Sequence, residues 1–284
     1  MTATPPSAAD FPFDAMVSTS RRSGTDRSYS TVGDALAHAP MDATRPYRIL
    51  IGKGEWRERV VIDRPNVHLI GEAVEQSVLV FSRHAGLPGP DGTPIGTFDT
   101  ATITVAAPGF RAENLTIAND YDYVGNMQSA EGDKKVGHHA SQAVALSIEC
   151  DADRTLLSGV TLLGNQDTLY AHAGRSLFSN CRIAGNVDFI FGGGRAWFEA
   201  CRIVSRHRPG ERIEGVIAAP NTDIHQPLGF VFSNCMLEKE KDVRPASVAL
   251  GRPWRQTTRF ADGFYGNPDH VGAATYLSCW MDDH

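Results

Sequence analysis

Two aspartates, Asp167 and Asp188, stand in matching sequence blocks and could do chemistry as a pair. The blocks read Gly-Asn-Gln-Asp-Thr-Leu-Tyr from Gly164 and Gly-Asn-Val-Asp-Phe-Ile-Phe from Gly185. Two carboxyl groups held close together cannot both ionise freely, so the pKa of one rises while that of the other stays low. Such a pair supplies a carboxylate nucleophile and a carboxylic acid at the same pH.

A close pair requires a fold that repeats about once every 21 residues, and the sequence contains such a repeat. Short segments that alternate apolar and polar residues recur, and one equivalent position is occupied in turn by Leu115, Val160, Cys181, Cys201 and Cys235. Most steps between these positions are close to one or two multiples of about 22 residues. This period predicts an all-β fold, a parallel β-helix whose stacked coils share one core. A β-sandwich with irregular strands is the alternative.

Equivalent residues on adjacent coils of a β-helix lie about 4.7–4.9 Å apart. Asp167 and Asp188 each follow the core position of their own coil by the same number of residues, so their side chains should point the same way. The same count from Cys201 leads to Arg208, a cation that could hold a carboxylate ionised or bind an anionic substrate. Turn aspartates can also simply cap backbone N–H groups, but the pairing favours chemistry.

Cys181 and Cys201 should likewise be stacked on adjacent coils. They are either two small apolar residues in an internal ladder or a disulfide, whose Cα separation of about 4.4–6.8 Å suits this spacing. The chain has 5 cysteines, an odd number, so at least one lacks a partner within the chain.

A short helix and two loops complete the predicted solenoid. Thr31 to Asp34 resembles a helix-capping box and precedes a helical stretch that ends at Pro40, so a short N-terminal helix should cap the first coil. The segments 86–96 and 120–137 are predicted as loops, and loops on one face of a solenoid commonly carry binding sites.

Composition excludes several function classes. The net charge of −6 disfavours a nucleic-acid partner. No segment approaches the roughly 18 apolar residues of a membrane span. The polar start of the chain does not resemble a signal peptide.

Four blocks of the sequence resemble, in order and spacing, the signature blocks of the pectin methylesterases (pectinesterases), most closely the bacterial branch. The blocks are 142–146, 164–170, 185–192 and 250–254. The resemblance covers the chain from about Asp14 to its end. It implies a right-handed single-stranded parallel β-helix over residues 14–284, preceded by a flexible arm at 1–13. It also implies pectin (homogalacturonan) as the substrate.

The resemblance implies a catalytic set. Asp188 matches the nucleophile that attacks the C6 methyl ester of galacturonate, and Asp167 matches the acid/base that protonates methanol and then activates water. Gln142 and Gln166 match the glutamines that stabilise the oxyanion, where neutral N–H donors suit the developing charge. Arg252 matches the arginine that hydrogen-bonds the nucleophile and keeps it ionised.

A sugar-binding cleft is also implied. Trp254 matches the aromatic that packs on a sugar ring. The other cleft positions, by match of the blocks, are Thr97, Tyr170, Phe191, Arg208, Thr257 and Met281. Cys181 and Cys201 fall where bacterial members can carry a disulfide. The proposed chemistry needs no cofactor, and the pair His138-His139 has no third ligand at useful spacing, so no metal site is predicted.

This sequence departs from the family pattern in three places. The segment 210–220 is shorter than in bacterial relatives and has Val216 where an aromatic is common, which would alter a sugar subsite. The chain ends at His284, where the family continues, so the family's C-terminal tail is expected to be lacking. The family is usually exported, so a secreted or periplasmic location is expected from resemblance, without a recognisable signal peptide. We expect a monomer, since capped solenoid ends avoid edge pairing.

Three alternatives to a pectin methylesterase stay open on the sequence. A pectate lyase or polygalacturonase would use the same fold, but no cluster of three or four acids stands in register for calcium. A relative acting on other esters or thioesters is motivated by Val216. A non-catalytic pectin-binding β-helix is motivated by the missing tail. The products, methanol with free acid or shortened chains, discriminate the first alternative.

Overall fold

Three parallel sheets wind around one core. The computed structural model describes residues 12–19, 27–128, 140–149 and 151–284. The chain passes from sheet A to sheet B to sheet C in each coil, and each strand pairs in parallel with the equivalent strand of the next coil. The predicted all-β parallel β-helix is confirmed.

The strands of the described residues have the following bounds. Sheet A contains β1 (Ala15–Val17), β2 (Ser28–Tyr29), β3 (Tyr47–Ile51), β6 (Val67–Gly71), β9 (Arg111–Glu113), β12 (Thr155–Ser158), β15 (Arg175–Ser179), β18 (Arg195–Glu199), β22 (Phe230–Ser233) and β28 (Ala274–Leu277). Sheet B contains β4 (Gly54–Arg57), β7 (Ser77–Phe81), β10 (Thr116–Asn119), β13 (Thr161–Leu163), β16 (Arg182–Gly185), β19 (Arg202–Ser205), β23 (Met236–Lys239) and β29 (Trp280–Met281). Sheet C contains β5 (Val60–Ile62), β8 (Ile103–Val105), β11 (Leu146–Ile148), β14 (Leu169–Ala171), β17 (Ile190–Gly192), β20 (Gly215–Pro220) and β24 (Val248–Gly251). Two antiparallel pairs are β21 (Thr222–Asp223) with β27 (His270–Val271) and β25 (Thr257–Phe260) with β26 (Gly263–Gly266).

Each sequence repeat spans two strands rather than the single alternating strand that the sequence predicted. The small or polar residue midway is a bend between sheet A and sheet B, because its backbone has a positive φ. The residues at this bend are Asn114, Gly159, Asn180, Ala200, Asn234 and Ser278, with φ between 51° and 59°. Glycine and asparagine tolerate this left-handed conformation best, which accounts for their recurrence there.

The residue after each bend forms a ladder inside the core. The strand register places Val160, Cys181, Cys201 and Cys235 in line on successive coils, as predicted, and Cys279 extends the ladder. Cys181 and Cys201 are free thiols, so the disulfide interpretation is wrong for this structure and the internal ladder is correct. Each thiol instead faces a backbone carbonyl one coil back; Cys201 Sγ, for example, lies 3.3 Å from the Phe178 oxygen.

A helix caps the first coil, as predicted. Helix α1 (Val32–Leu36) packs against β1, β2 and β5. Thr31 Oγ1 accepts a hydrogen bond from the Asp34 N–H at 3.0 Å, which is one half of the capping box. The remaining N-terminal donors of the helix bond to Glu58, whose carboxylate oxygens lie 2.7 Å from Val32 N and 3.0 Å from Gly33 N.

Loops of unequal length between sheets B and C form a cleft. The connections at 164–168 and 186–189 are short turns, whereas those at 82–102, 120–145 and 206–214 are long. The turns that carry the aspartates therefore lie on short connections between coils with longer ones, and we call this surface the cleft; residues 129–139 lie outside the described residues. The loop predicted at 86–96 has no strand of its own, but the one predicted at 120–137 contains helix α2 (Tyr123–Gln128).

Candidate active site

Asp167 and Asp188 are stacked on adjacent coils, as the repeat predicted. Leu169 pairs with Ile190, and the Asp167 N–H donates to the Val187 carbonyl at 3.0 Å, which puts the two aspartates in register. Neighbouring strands lie about 4.8 Å apart. Both residues have a left-handed backbone, with φ of 64° and 50°. This conformation turns both side chains out of the turn in the same direction.

The turn that presents Asp188 requires a glycine before it. A Cβ atom on Gly185 would lie 2.2 Å from the Phe189 Cβ and 2.6 Å from the Asn165 carbonyl oxygen. No residue with a Cβ atom can be accommodated so close to both of these atoms. The repeated glycine of the two aspartate blocks thus serves the tight turn and not the chemistry itself.

Arg252 holds Asp188 in a two-pronged ion pair. The Nε atom of Arg252 donates to Asp188 Oδ1 at 2.8 Å, and Nη2 donates to Oδ2. Asp188 is only 6% exposed, whereas the arginine side chain is 48% exposed. The hydrogen bonds to Asp188 raise the pKa of Arg252. A bidentate guanidinium favours the ionised form of its carboxylate partner, and of the two aspartates only Asp188 receives this contact.

Asp167 is the member of the pair whose pKa is raised. Its side chain is buried, and the pKa of Asp167 is raised well above its ordinary value by burial and by the neighbouring Asp188 carboxylate, with Arg252 opposing the shift. The structure shows no hydrogen bond from its carboxyl group to a described side chain. The environment thus separates the two carboxyl groups into one base and one acid, as the sequence predicted.

Gln142 and Gln166 flank this pair on adjacent coils. The Ala143 N–H donates to the Gln166 carbonyl at 3.1 Å, which fixes one backbone against the other. Gln142 Oε1 is buried and accepts no hydrogen bond from the described part of the chain. A buried amide oxygen without a protein partner is unusual and sets Gln142 apart from the other side chains of the site.

A row of aromatic rings runs along the helix axis beside the aspartates. Tyr170 and Phe191 stack with centroids 4.6 Å apart, Phe98 leans on Tyr170 at 5.0 Å, and Trp254 meets Phe191 edge-on at 5.7 Å. Tyr170 and Phe191 are only 2% and 3% exposed. They therefore support the row, whereas the half-buried Trp254 and the exposed Phe98 offer ring surface to a ligand. Phe98 was missed in the sequence because it stands outside the recognisable blocks.

Arg208 reaches the site by a different route from the one the repeat predicted. Ile190 pairs with Ala218, and the Val216 N–H donates to the Asn186 carbonyl at 2.8 Å, so β20 and not Arg208 lies beside the turn that carries Asp188. The count from Cys201 is wrong because the loop 206–214 is inserted before sheet C. Arg208 instead approaches from that loop and stands beside the phenol of Tyr123.

The pKa of Tyr123 is affected by both Arg208 and Asp167. The phenol is 2% exposed, and burial raises its pKa. The Arg208 guanidinium opposes that shift, and the Asp167 carboxylate adds to it. The Arg208 guanidinium therefore lies against the Tyr123 phenol, with which it makes a hydrogen bond.

The remaining predicted cleft residues differ in position. Thr97 begins the 3-10 helix Thr97–Asp99 that carries Phe98, and Thr257 is exposed at the start of β25, just beyond Trp254. Met281 lies in sheet B, where it pairs with the buried Leu237, but it is itself 42% exposed on the last strand, and its place in the cleft stays a prediction.

No metal centre or membrane helix is found in the ranges that the structure describes. Within them, no group of three or more His, Cys, Asp or Glu side chains could hold a metal ion. His138 and His139 lie outside those ranges. None of the described helices is both long and apolar enough to cross a bilayer.

Comparisons with known proteins agree with this geometry. The family model described as pectinesterase matches residues 16–261. The chain is 42% identical over 276 residues to pectinesterase A of Dickeya dadantii (strain 3937), covering 96% of this chain and 74% of that protein. It superimposes on a pectin methylesterase from Yersinia enterocolitica with a TM-score of 0.87 at 42% identity, covering 90% and 80% of the two chains. A crystal structure of a pectin methylesterase in complex with hexasaccharide VII gives a TM-score of 0.91 at 41% identity, covering 96% and 80%.

Proposed function

The chain belongs to the pectinesterase family, and from that premise we propose that it hydrolyses the C6 methyl esters of polygalacturonate through Asp188 and Asp167. The observation that carries this proposal is the in-register pair of carboxyl groups, of which only Asp188 is held by a bidentate arginine. Ester hydrolysis needs one nucleophile and one proton donor at the same carbon, and this pair supplies both.

In the first half of the reaction, an Asp188 oxygen attacks the C6 carbonyl carbon of a methyl galacturonate. The carbonyl π electrons move to oxygen, and the side-chain N–H groups of Gln142 and Gln166 stabilise that oxyanion. The C–O bond to methoxide then breaks as Asp167 gives its proton to the departing oxygen. Methanol leaves, and the sugar stays bound to Asp188 as an acyl-enzyme anhydride.

In the second half, Asp167 has become a carboxylate and acts as a base. It removes a proton from a water molecule, which attacks the C6 carbonyl of the acyl-enzyme. The anhydride C–O bond breaks, Asp188 leaves as a carboxylate paired with Arg252, and Asp167 is protonated again. The products are methanol and one galacturonic acid carboxyl group per turnover, which ionises by releasing a proton to solvent, and no cofactor enters the balance.

The activity is tested by mixing the purified protein with highly methyl-esterified pectin and measuring methanol, carboxylate and polymer length. We expect methanol and new carboxylate in equal amounts with the polymer length unchanged. Shortened chains without methanol would place the protein with lyases or glycosidases. Methanol release from another methyl ester but none from pectin would contradict pectin as the substrate while still supporting ester hydrolysis.

Trp254 is proposed to stack on a sugar ring of the bound polymer. Replacing Trp254 by alanine should raise KM for pectin about tenfold with little change in kcat, because the ring contributes binding in ground and transition states alike. Trp197→Ala is the matched control, since Trp197 is 39% exposed on sheet A, away from the cleft. Equal effects of the two substitutions would remove Trp254 from the binding surface.

We further propose that the protein acts outside the cytoplasm as a monomer, where its polymeric substrate is accessible. Both statements rest on resemblance to the family. Size-exclusion chromatography with light scattering and fractionation of producing cells test them.

A further inference from the structure

A fully buried carboxylate organises the loop that carries Arg208. Glu214 is 0% exposed. Its Oε1 atom accepts hydrogen bonds from Arg244 at Nε, 2.8 Å away, and at the backbone N–H, 3.0 Å away. Its Oε2 atom lies 2.7 Å from His207 Nδ1 and accepts from the Arg208 backbone N–H at 3.2 Å.

These contacts tie both ends of the loop 206–214 together. Glu214 stands at the end of the loop, and the groups that it binds, His207 and Arg208, stand at its beginning. Burial acts to raise the pKa of Glu214, but its hydrogen bonds to Arg244, Arg208 and His207 outweigh burial and lower it to about 2. The carboxylate is therefore ionised at every pH at which the protein would work.

The guanidinium of Arg208 depends on this anchor for its position. Its own ionic contact is weak, since Nη2 lies 3.8 Å from Glu211 Oε1. Its Nε–H is buried and finds no acceptor within the described residues. The backbone bond to Glu214 fixes where the side chain begins, and from there the guanidinium reaches the Tyr123 phenol and makes a hydrogen bond with it.

We propose that Glu214 is a positioning residue that acts through Arg208 to place a cation for a free galacturonate carboxylate in the cleft. This inference rests on the proposed function, because it assigns the ligand of Arg208 as an acidic sugar of the same polymer. Glu214 itself lies behind the loop backbone and does not touch the substrate. Its contribution is to the affinity for de-esterified sugars and not to the chemical step.

The test is a double-mutant cycle on binding, which does not require turnover. Affinity for de-esterified hexagalacturonate is measured by calorimetry for wild type, Glu214→Gln, Arg208→Ala and the double variant. Glu214→Gln should weaken binding about tenfold, the size expected for one misplaced charge-assisted contact. In the Arg208→Ala protein, adding Glu214→Gln should weaken binding no further. For Glu214→Gln, the kcat for methanol release at saturating pectin should differ from that of wild type by less than twofold.

A control and a second variant separate positioning from general loss of structure. Glu238→Gln is the matched control. Both carboxylate oxygens of Glu238 accept from the Arg202 Nε–H, and Glu238 makes no hydrogen bond with the described loop 206–214. It should leave affinity unchanged. Arg244→Gln removes the guanidinium contact to Glu214 and should weaken binding about threefold, again only when Arg208 is present. This variant decides the matter if circular dichroism shows that Glu214→Gln does not fold.

Two results would overturn the proposal. One is an undiminished effect of Glu214→Gln, or of Arg244→Gln, in the Arg208→Ala background. The other is unchanged affinity in a folded Glu214→Gln protein. If the variants show this coupling but the wild type releases no methanol from pectin, only the proposed function is contradicted, since the cycle measures binding only.

Discussion

Replacing Asp188 by asparagine is expected to lower methanol release from methyl-esterified pectin by about 10³-fold or more. An amide oxygen is a poor nucleophile, so the covalent step is lost. Asparagine keeps the size of aspartate and retains one oxygen to accept from Arg252, so the turn should keep its shape. Initial rates of methanol release, with circular dichroism to verify folding, measure the effect.

The control for this substitution is a second bidentate pair outside the cleft. Asp153 accepts from Arg175 at Nε, 2.9 Å away, and at Nη2, before a strand of sheet A. Asp153→Asn removes a similar charge from a similar partner and should leave the rate unchanged. If Asp188→Asn released methanol as fast as Asp153→Asn, Asp188 would not be the nucleophile and the covalent mechanism would be contradicted.

Replacing Asp167 by asparagine is expected to lower kcat by about 10²- to 10⁴-fold, the usual range for general acid–base catalysis. The amide cannot protonate departing methanol or take a proton from water. A trifluoroethyl ester tests the first role, because trifluoroethoxide leaves without a proton donor. Acyl-enzyme formation by Asp167→Asn should recover on this ester, whereas Asp188→Asn should not recover. A loss in Asp167→Asn that is the same for both esters would contradict the acid role.

The same substitution should make the protein more stable at alkaline pH. Burial and the Asp188 charge raise the pKa of Asp167 well above its usual range. The folded state therefore holds this proton more tightly than the unfolded chain does. The stabilisation is complete below the unfolded pKa, about 3.9, and is lost as pH rises through the folded pKa. Asp167→Asn has no such loss, so we expect its melting temperature at pH 8 to exceed that of wild type; a lower value would contradict the raised pKa.

Activity should follow the same titration. Because the first half of the reaction needs protonated Asp167, kcat/KM should fall as pH rises through the pKa of Asp167 in the free enzyme. The fall belongs to Asp167 and should be absent from the residual rate of Asp167→Asn.

The coil repeat and the stacked pair of aspartates could be predicted because they are periodic. Asp167 and Asp188 stand one coil apart in matching blocks, and a strict register turns that sequence distance into spatial contact. The core ladder through Val160 and Cys181 follows for the same reason. Gln142, Gln166 and Arg252 were identified through the family blocks, since no local pattern marks an oxyanion donor.

Residues in insertions could not be placed by counting. The loop 206–214 breaks the period, so Arg208 was assigned a register position that β20 occupies. Glu214 and Tyr123 are buried through contacts between loops far apart in the sequence, and burial of a polar side chain has no sequence signature. Met281 was carried over from a family position, and its pairing with Leu237 on the last strand leaves it 42% exposed.

The covalent role of Asp188 is tested most directly by trapping the acyl-enzyme with hydroxylamine during turnover on methyl-esterified oligogalacturonate. Hydroxylamine competes with water for an anhydride that forms after methanol has left. The mechanism predicts galacturonyl hydroxamate at the expense of free carboxylate, with the rate constant for methanol formation independent of hydroxylamine in a single turnover. Absence of hydroxamate, or hydroxamate that forms only in proportion to faster methanol release, would show direct attack on the ester and contradict a covalent intermediate on Asp188.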